Sequence, residues 1–290
     1  MTALTLDHLV IAVRKLDTAA ANYARLLGRR PSWHGQHRTY GTVNVLFRLD
    51  NCYIELLAPG DTVADSPWAR ALREHLETRG EGVYAIALGT DDIDATVARA
   101  RASGLEVTEP AAGDGVDLDT GARRGWRNAR IDPKTTRGVV AFFIQHDSPP
   151  DALPAVDPFP DGSSALGVDH TVVGSSDLEA TLRVWRGAIG LDLRRTIDGP
   201  NGRRLQFLRL GESILELAGA AEPKERGQRD ALWGISYRVG SVAKAVERLR
   251  IEGVTVSDVR EGNAPNTLVA DLKPGFSHDV RTLLIGKDVA

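Results

Sequence analysis

Leu6-Asp7-His8-Leu9-Val10-Ile11 returns later in the chain as Val168-Asp169-His170-Thr171-Val172-Val173, at a spacing of 162 residues (8 to 170). The same spacing relates Leu16 to Leu178, Tyr23 to Trp185, Leu27 to Ile189 and Gly28 to Gly190. Further on it shortens to 161 (55 to 216), where Tyr53-Ile54-Glu55 meets Ile214-Leu215-Glu216. A second pair of segments lies between these. Tyr84-Ala85-Ile86 aligns with Trp233-Gly234-Ile235 at a spacing of 149 (84 to 233), and the register holds through Val97/Val246, Gly104/Gly253 and Val107/Val256. Four units result, starting near residues 6, 83, 167 and 232. A repeat of this length limits the architectures open to the chain before any single motif is weighed.

Each unit opens on a short apolar strand, continues with an amphipathic helix ended by glycine, and finishes in segments of strand character. In the first unit Asp17 is expected to N-cap a helix with Ala20, Tyr23 and Leu27 on its apolar face, and Gly28 to take the left-handed position after it. Asp92 to Gly104, Leu178 to Gly190 and Ser241 to Gly253 repeat that plan. Strands are expected over 43–49, 52–57, 139–144, 204–210, 213–217 and 282–285. The pattern is βαβββ per unit, an α+β fold with the helices on one face of antiparallel-type sheets. An extra helix is expected after Ser66-Pro67, with a shorter, more polar counterpart around 222–230. Residues 147–165 carry Pro149, Pro150, Pro154, Pro158 and Pro160, which suits an extended linker. The domains expected are therefore 1–146 and 166–290.

The 290 residues carry a formal net charge of −3, which gives no electrostatic case for a nucleic-acid partner. Cys52 is the only cysteine, so an intrachain disulfide and a cysteine metal site are both excluded. No apolar run reaches a membrane span and no signal peptide is visible, so a cytoplasmic location and no membrane partner are expected. Nor does the chain contain a nucleophile motif, a phosphate loop or a dinucleotide fingerprint.

Tandem βαβββ units that open on Asp-His and close on an apolar-Glu-apolar strand resemble the vicinal oxygen chelate superfamily. This group includes glyoxalases, methylmalonyl-CoA epimerases, extradiol dioxygenases and bleomycin-resistance proteins. Gly41-Thr42-Val43-Asn44 through Tyr53-Ile54-Glu55-Leu56 looks most like its glyoxalase-like subgroup. The resemblance implies two domains, each with a cupped mixed sheet of two units. It also implies a divalent metal (Zn, Ni, Mn or Fe) held by first-strand and last-strand residues, acting as a Lewis acid on a small oxygen-rich substrate.

Carried over by position, the metal ligands would be His8 and Glu55, with Gln145 where the second unit often has glutamate. The second half would offer His170 and Glu216. Ala85 and Gly234 stand where histidine is common, and Leu283 where glutamate is, which disfavours ring-cleaving dioxygenase chemistry. His146 is expected on the face opposite Gln145. Pairing of units one with two and three with four is expected, although one with three would gather His8, Glu55, His170 and Glu216.

Glu55 is the candidate proton-transfer base. His37, Asn44, Trp126 and Arg127 are candidate substrate contacts, and Arg123 and Arg124 share the chemistry that suits an anionic group. Trp126 and Trp233 are equally readable as core. The leading function is a metal-dependent lyase or isomerase of glyoxalase type; the alternative is a metal-free protein of bleomycin-resistance type that sequesters an aromatic or anionic small molecule. A homodimer is compatible with either.

Overall fold

The first unit folds as β1 (Thr5–Ala12), α1 (Leu16–Leu27), β2 (Trp33–His37), β3 (Thr42–Arg48) and β4 (Tyr53–Pro59). These elements come from a computed structural model, in which residues 3–37, 39–60, 66–199, 202–222, 229–273 and 275–287 are described. After α2 (Pro67–Thr78), the second unit repeats the order as β5 (Gly82–Gly89), α3 (Ile93–Ala102), β6 (Ala111–Asp117), β7 (Arg123–Ile131) and β8 (Val140–His146). The third comprises β9 (Ala165–Ser175), α4 (Leu178–Leu182), β10 (Asp192–Asp198), β11 (Arg203–Leu210) and β12 (Ser213–Ala220). The fourth comprises β13 (Ala231–Val239), α5 (Val242–Ile251), β14 (Arg260–Glu261), β15 (Thr267–Asp271) and β16 (Arg281–Lys287).

Local chemistry explains most helix ends. Ser66, Asp92, Asp177 and Ser241 each accept a backbone N–H through their side chains at the N-cap. Asp17 is an exception to the expectation: Lys15 holds the cap position without a side-chain hydrogen bond. Asp17 instead sits in the first turn, where its charge opposes the positive end of the helix dipole. Gly28 takes φ 65° at the C-terminus of α1, the left-handed conformation that a side chain resists. Directly after α4 the chain winds as a π-helix over Arg183–Ala188. The counterpart of α2 around 222–230 lies largely outside the described residues.

The sheets are mixed, because the first and last strands of each unit run parallel: β1 with β4, β5 with β8, β9 with β12, and β13 with β16. Antiparallel pairs β1–β5 and β9–β13 join unit one to two and three to four. The halves then diverge. The first closes into an eight-stranded barrel in the order β1-β4-β3-β2-β6-β7-β8-β5, sealed by Gly35 and Gln36 of β2 against Asp117 and Val116 of β6. The second remains an open eight-stranded sheet whose last edge is the two-residue β14. Its other edge is β10, and among the described residues no pairing joins the two edges, so the cup stays open.

Outward-facing residues such as Leu9, Ile11, Phe47, Ile54 and Leu56 pack under the helices, and a single apolar core runs from there into the second half through Val168, Leu215 and Tyr237. Polar contacts reinforce it. The Asn51 amide bonds both backbone groups of Val168 and the Ser213 hydroxyl at 2.9–3.0 Å. Arg137 pairs with the buried Asp230 at 3.0 Å. The proline-rich segment is docked rather than free: Leu153 is buried with Trp33, Leu46 and Tyr53, and Arg48 donates to the carbonyls of Pro150 and Leu153.

Candidate functional site

Period-two alternation turns one face of every barrel strand inward. β1 contributes His8 and Val10, β2 Trp33 and His37, and β3 Thr42, Asn44 and Leu46. β4 contributes Tyr53, Glu55 and Leu57, β7 Arg124, Trp126 and Asn128, and β8 Phe142 and Ile144. They enclose a cavity of about 80 Å³, capped at one end by Trp68 and Leu72 of α2. Two glycines make room for the tryptophans. A Cβ on Gly35 would lie 2.0 Å from the Trp33 indole nitrogen, and one on Gly113 would lie 2.4 Å from that of Trp126. A wider groove between the halves shares Trp68, Tyr84 and Phe142 with the cavity and carries the exposed Trp233. Trp233 is thus not core: it is 41% exposed, with Arg281 stacked 4.4 Å from its ring centroid.

His8 is the hub of a polar chain in this otherwise aromatic space. Its Nδ1 lies 2.6 Å from Asp7 Oδ1, and its Nε2 lies 3.4 Å from Glu55 Oε2. The Tyr53 ring stacks on it at 4.4 Å and Phe142 meets it edge-on at 5.5 Å. Glu55 Oε1 accepts 2.7 Å from Asn44 Nδ2, which also lies 3.2 Å from His37 Nε2. Burial alone pulls the His8 pKa down, but the Asp7 and Glu55 carboxylates overcome it and raise it to about 8. Burial pushes Glu55 up, yet the His8 hydrogen bond, the His37 and His8 charges and the Asn44 amide together bring it down to about 2. Burial lowers the His37 pKa below its ordinary value. His8 and Glu55 therefore form a buried ion pair, oriented from behind by Asp7.

Strand pairing relocates two expected residues. Val10 pairs with Glu55 across β1–β4, and Ala87 pairs with Phe142 across β5–β8, so Phe142 is the counterpart of Glu55. Gln145 is one face out of phase. Its Oε1 accepts from the backbone N–H of Ile93 at 2.9 Å, capping α3 outside the cavity. His146, placed by sequence on the far face, instead bonds Asp7 Oδ2 at 2.9 Å and extends the polar chain. Arg127 also points away, clasping Asp94 with two bonds of 2.8 and 2.9 Å. Arg123 pairs with Asp114 at 2.8 Å. His37, Asn44 and Trp126 do line the cavity. Of the arginines that the sequence grouped as suited to an anion, only Arg124 lines the cavity; Arg123 and Arg127 share its type but not its face. The repeated Asp-His dipeptide was the visible signal for Asp7.

In the second half, His170 Nδ1 meets Asp169 at 2.7 Å and Nε2 meets Ser236 Oγ at 2.7 Å, while Glu216 lies 3.6 Å away. Ser236 pairs with His170 as Ala87 pairs with His8. The register also confirms Leu283, opposite Ser236, as the counterpart of Glu216. The two His–Glu pairs belong to separate sheets, so units one and three do not assemble a shared site.

A divalent metal of the kind described above needs donors from both units of a half. Unit one supplies His8 and Glu55, but unit two presents the carbon side chains of Ala85 and Phe142 at the matching positions. The Asn44 NH2 group, which has no lone pair to offer, faces both Glu55 and His37. Among the described residues, no three His, Cys, Asp or Glu side chains are grouped to hold an ion. These residues do not fit that metal centre.

Residues 6–167 match the family described as glyoxalase-like domain, and 167–269 match the glyoxalase/bleomycin resistance protein/dioxygenase superfamily. No curated protein matches the chain. Among solved structures, a variant of 4-hydroxymandelate synthase from Streptomyces coelicolor is 14% identical with a TM-score of 0.70, covering 99% of this chain and 94% of that one. The Mn(II)-bound glyoxalase from Novosphingobium aromaticivorans is 16% identical with a TM-score of 0.66, covering 99% and 83%. A hypothetical protein from Staphylococcus aureus is 15% identical with a TM-score of 0.65, covering 98% and 99%. At these identities the likeness speaks for the fold alone. With over half its length in one family match, and both halves sharing the fold, the chain belongs to the glyoxalase-like domain family of the vicinal oxygen chelate superfamily.

Proposed function

We propose that the first-half barrel binds a small, planar, largely apolar molecule without a resident metal. The observation that carries this reading is the cavity itself: it is lined by Trp33, Tyr53, Trp126 and Phe142, with a few polar groups among them, His8, His37, Asn44, Glu55, Arg124 and Asn128. Such a site buries an aromatic body and orients it through a few hydrogen bonds. The metal-free sequestering function therefore has more support than a metal-dependent one.

The test is calorimetry with small aromatic compounds on chelator-treated protein, beside Ala85→Trp, which fills the cavity. Binding by the chelated wild type and none by the variant is the expected result. Binding that returns only with added Zn, Ni, Mn or Fe would overturn the metal-free reading.

The His8–Glu55 pair favours a second reading, a lyase or isomerase that moves a proton. A ligand that separates the pair removes what holds the Glu55 pKa down, and burial then makes Glu55 a stronger base beside the acid His8. Exchange of a ligand C–H with deuterium from solvent, abolished in Glu55→Gln, is its signature.

A further inference from the structure

Arg124 is 93% buried, its relative exposure being 7%, and it belongs to the cavity wall. Its guanidinium carbon lies 5.6 Å from the Trp33 ring centroid and 5.4 Å from that of Tyr53. Among the described residues no carboxylate forms an ion pair with it. The nearby arginines are matched: Arg123 holds Asp114 and Arg127 holds Asp94. The cavity's carboxylate, Glu55, is engaged by His8 and Asn44, and Asp7 behind it by His8 and His146. Aromatic faces offset part of the cost of burying a guanidinium but do not replace an anion. In the eight-strand ring β7 stands opposite β4, so Arg124 and Glu55 project from facing walls.

We infer that Arg124 is an anion anchor, and that the ligand of the cavity is an aromatic carboxylate. The inference rests on the proposed binding function and specifies its ligand. The carboxylate takes the two-pronged guanidinium, whose planar fork suits it. The ring packs between Trp33, Tyr53 and Trp126. A hydroxyl or amine at the far end of the ring is placed to donate to Glu55. Arg124 thereby selects among aromatic molecules that the apolar wall accepts alike.

Calorimetry with 4-hydroxybenzoate and its uncharged methyl ester tests this on the full chain. The wild type is expected to bind the carboxylate at least about tenfold more tightly than the ester, the least expected of a desolvated charge pair. Arg124→Met should erase that preference. Arg124→Lys keeps the charge but loses the fork, and should retain only part of the preference. Equal binding of acid and ester by the wild type would overturn the anion anchor and leave the aromatic cavity standing. Binding of neither compound would count against the cavity reading and this inference together. The wild-type comparison decides the matter even if Arg124→Met fails to fold.

Discussion

His8 and His170 occupy the same position in the two halves, each backed by an aspartate on Nδ1 and each facing a glutamate across a parallel strand pair. Their fates differ through one neighbour. Where His8 faces Ala87, its Nε2 turns to Glu55 and the cavity; where His170 faces Ser236, that nitrogen is tied to a hydroxyl at 2.7 Å. Closure widens the difference. The barrel excludes water around Glu55, which becomes a held carboxylate, whereas Glu216 gains no comparable hydrogen bonds and burial raises its pKa. The corresponding pair thus serves as a buried ion pair in one half, while in the other the histidine is satisfied by Asp169 and Ser236.

The largest effect expected from this contrast comes from removing each histidine. His8→Ala leaves Asp7 and Glu55 without their cation and should cost about 3–5 kcal/mol in urea unfolding, with loss of ligand binding. His170→Ala should cost about 1–2 kcal/mol and leave binding unchanged. Equal losses would abolish the distinction.

Next comes pH. The His8 pKa is raised from 6.5 to about 8, so its contribution is complete below 6.5 and fades as pH rises through 8. The Glu55 pKa is lowered from 4.5 to about 2, so its contribution is complete above 4.5 and fades as pH falls through 2. The pair therefore stabilises most between pH 4.5 and 6.5. Stability measured from pH 5 to 9 should fall on the alkaline side, and more steeply than in a His8→Asn/Glu55→Gln double variant. Glu216 runs the opposite way: burial raises its pKa, so Glu216→Gln should raise Tm slightly at pH 7. A lowered Tm would place Glu216 in the same role as Glu55.

A smaller effect, about 1 kcal/mol, is expected for Ser236→Ala, which removes one hydrogen bond from His170. If that variant acquires tight zinc binding, the hydroxyl is what silences the second-half pair. Cys52 offers the mildest probe, since it reports rather than perturbs. It is buried where the halves meet, and burial pushes its thiol up to about 12. It should resist a thiol reagent in native protein and react fully in denaturant. Rapid native labelling would mean that the halves part readily.

The repeat made the four units, most helix caps and the His8 and Glu55 positions readable in advance, because each depends on spacing along one strand or helix. The misplacement of Gln145 and His146 shows the limit. Strand alternation says that neighbours face opposite ways but not which one faces in, and only pairing with β5 sets that phase. The same uncertainty hid Arg124 among Arg123 and Arg127.

By itself the sequence determined the βαβββ order, the absence of an intrachain disulfide and the presence of two His–Glu pairs, all consequences of local pattern and residue chemistry. Tertiary structure decided that one cup closes and the other does not. β6 is seven residues long and reaches β2, while β14 has two residues and reaches only β15. Closure brings facing walls together and removes water, and that makes a cavity of the first half.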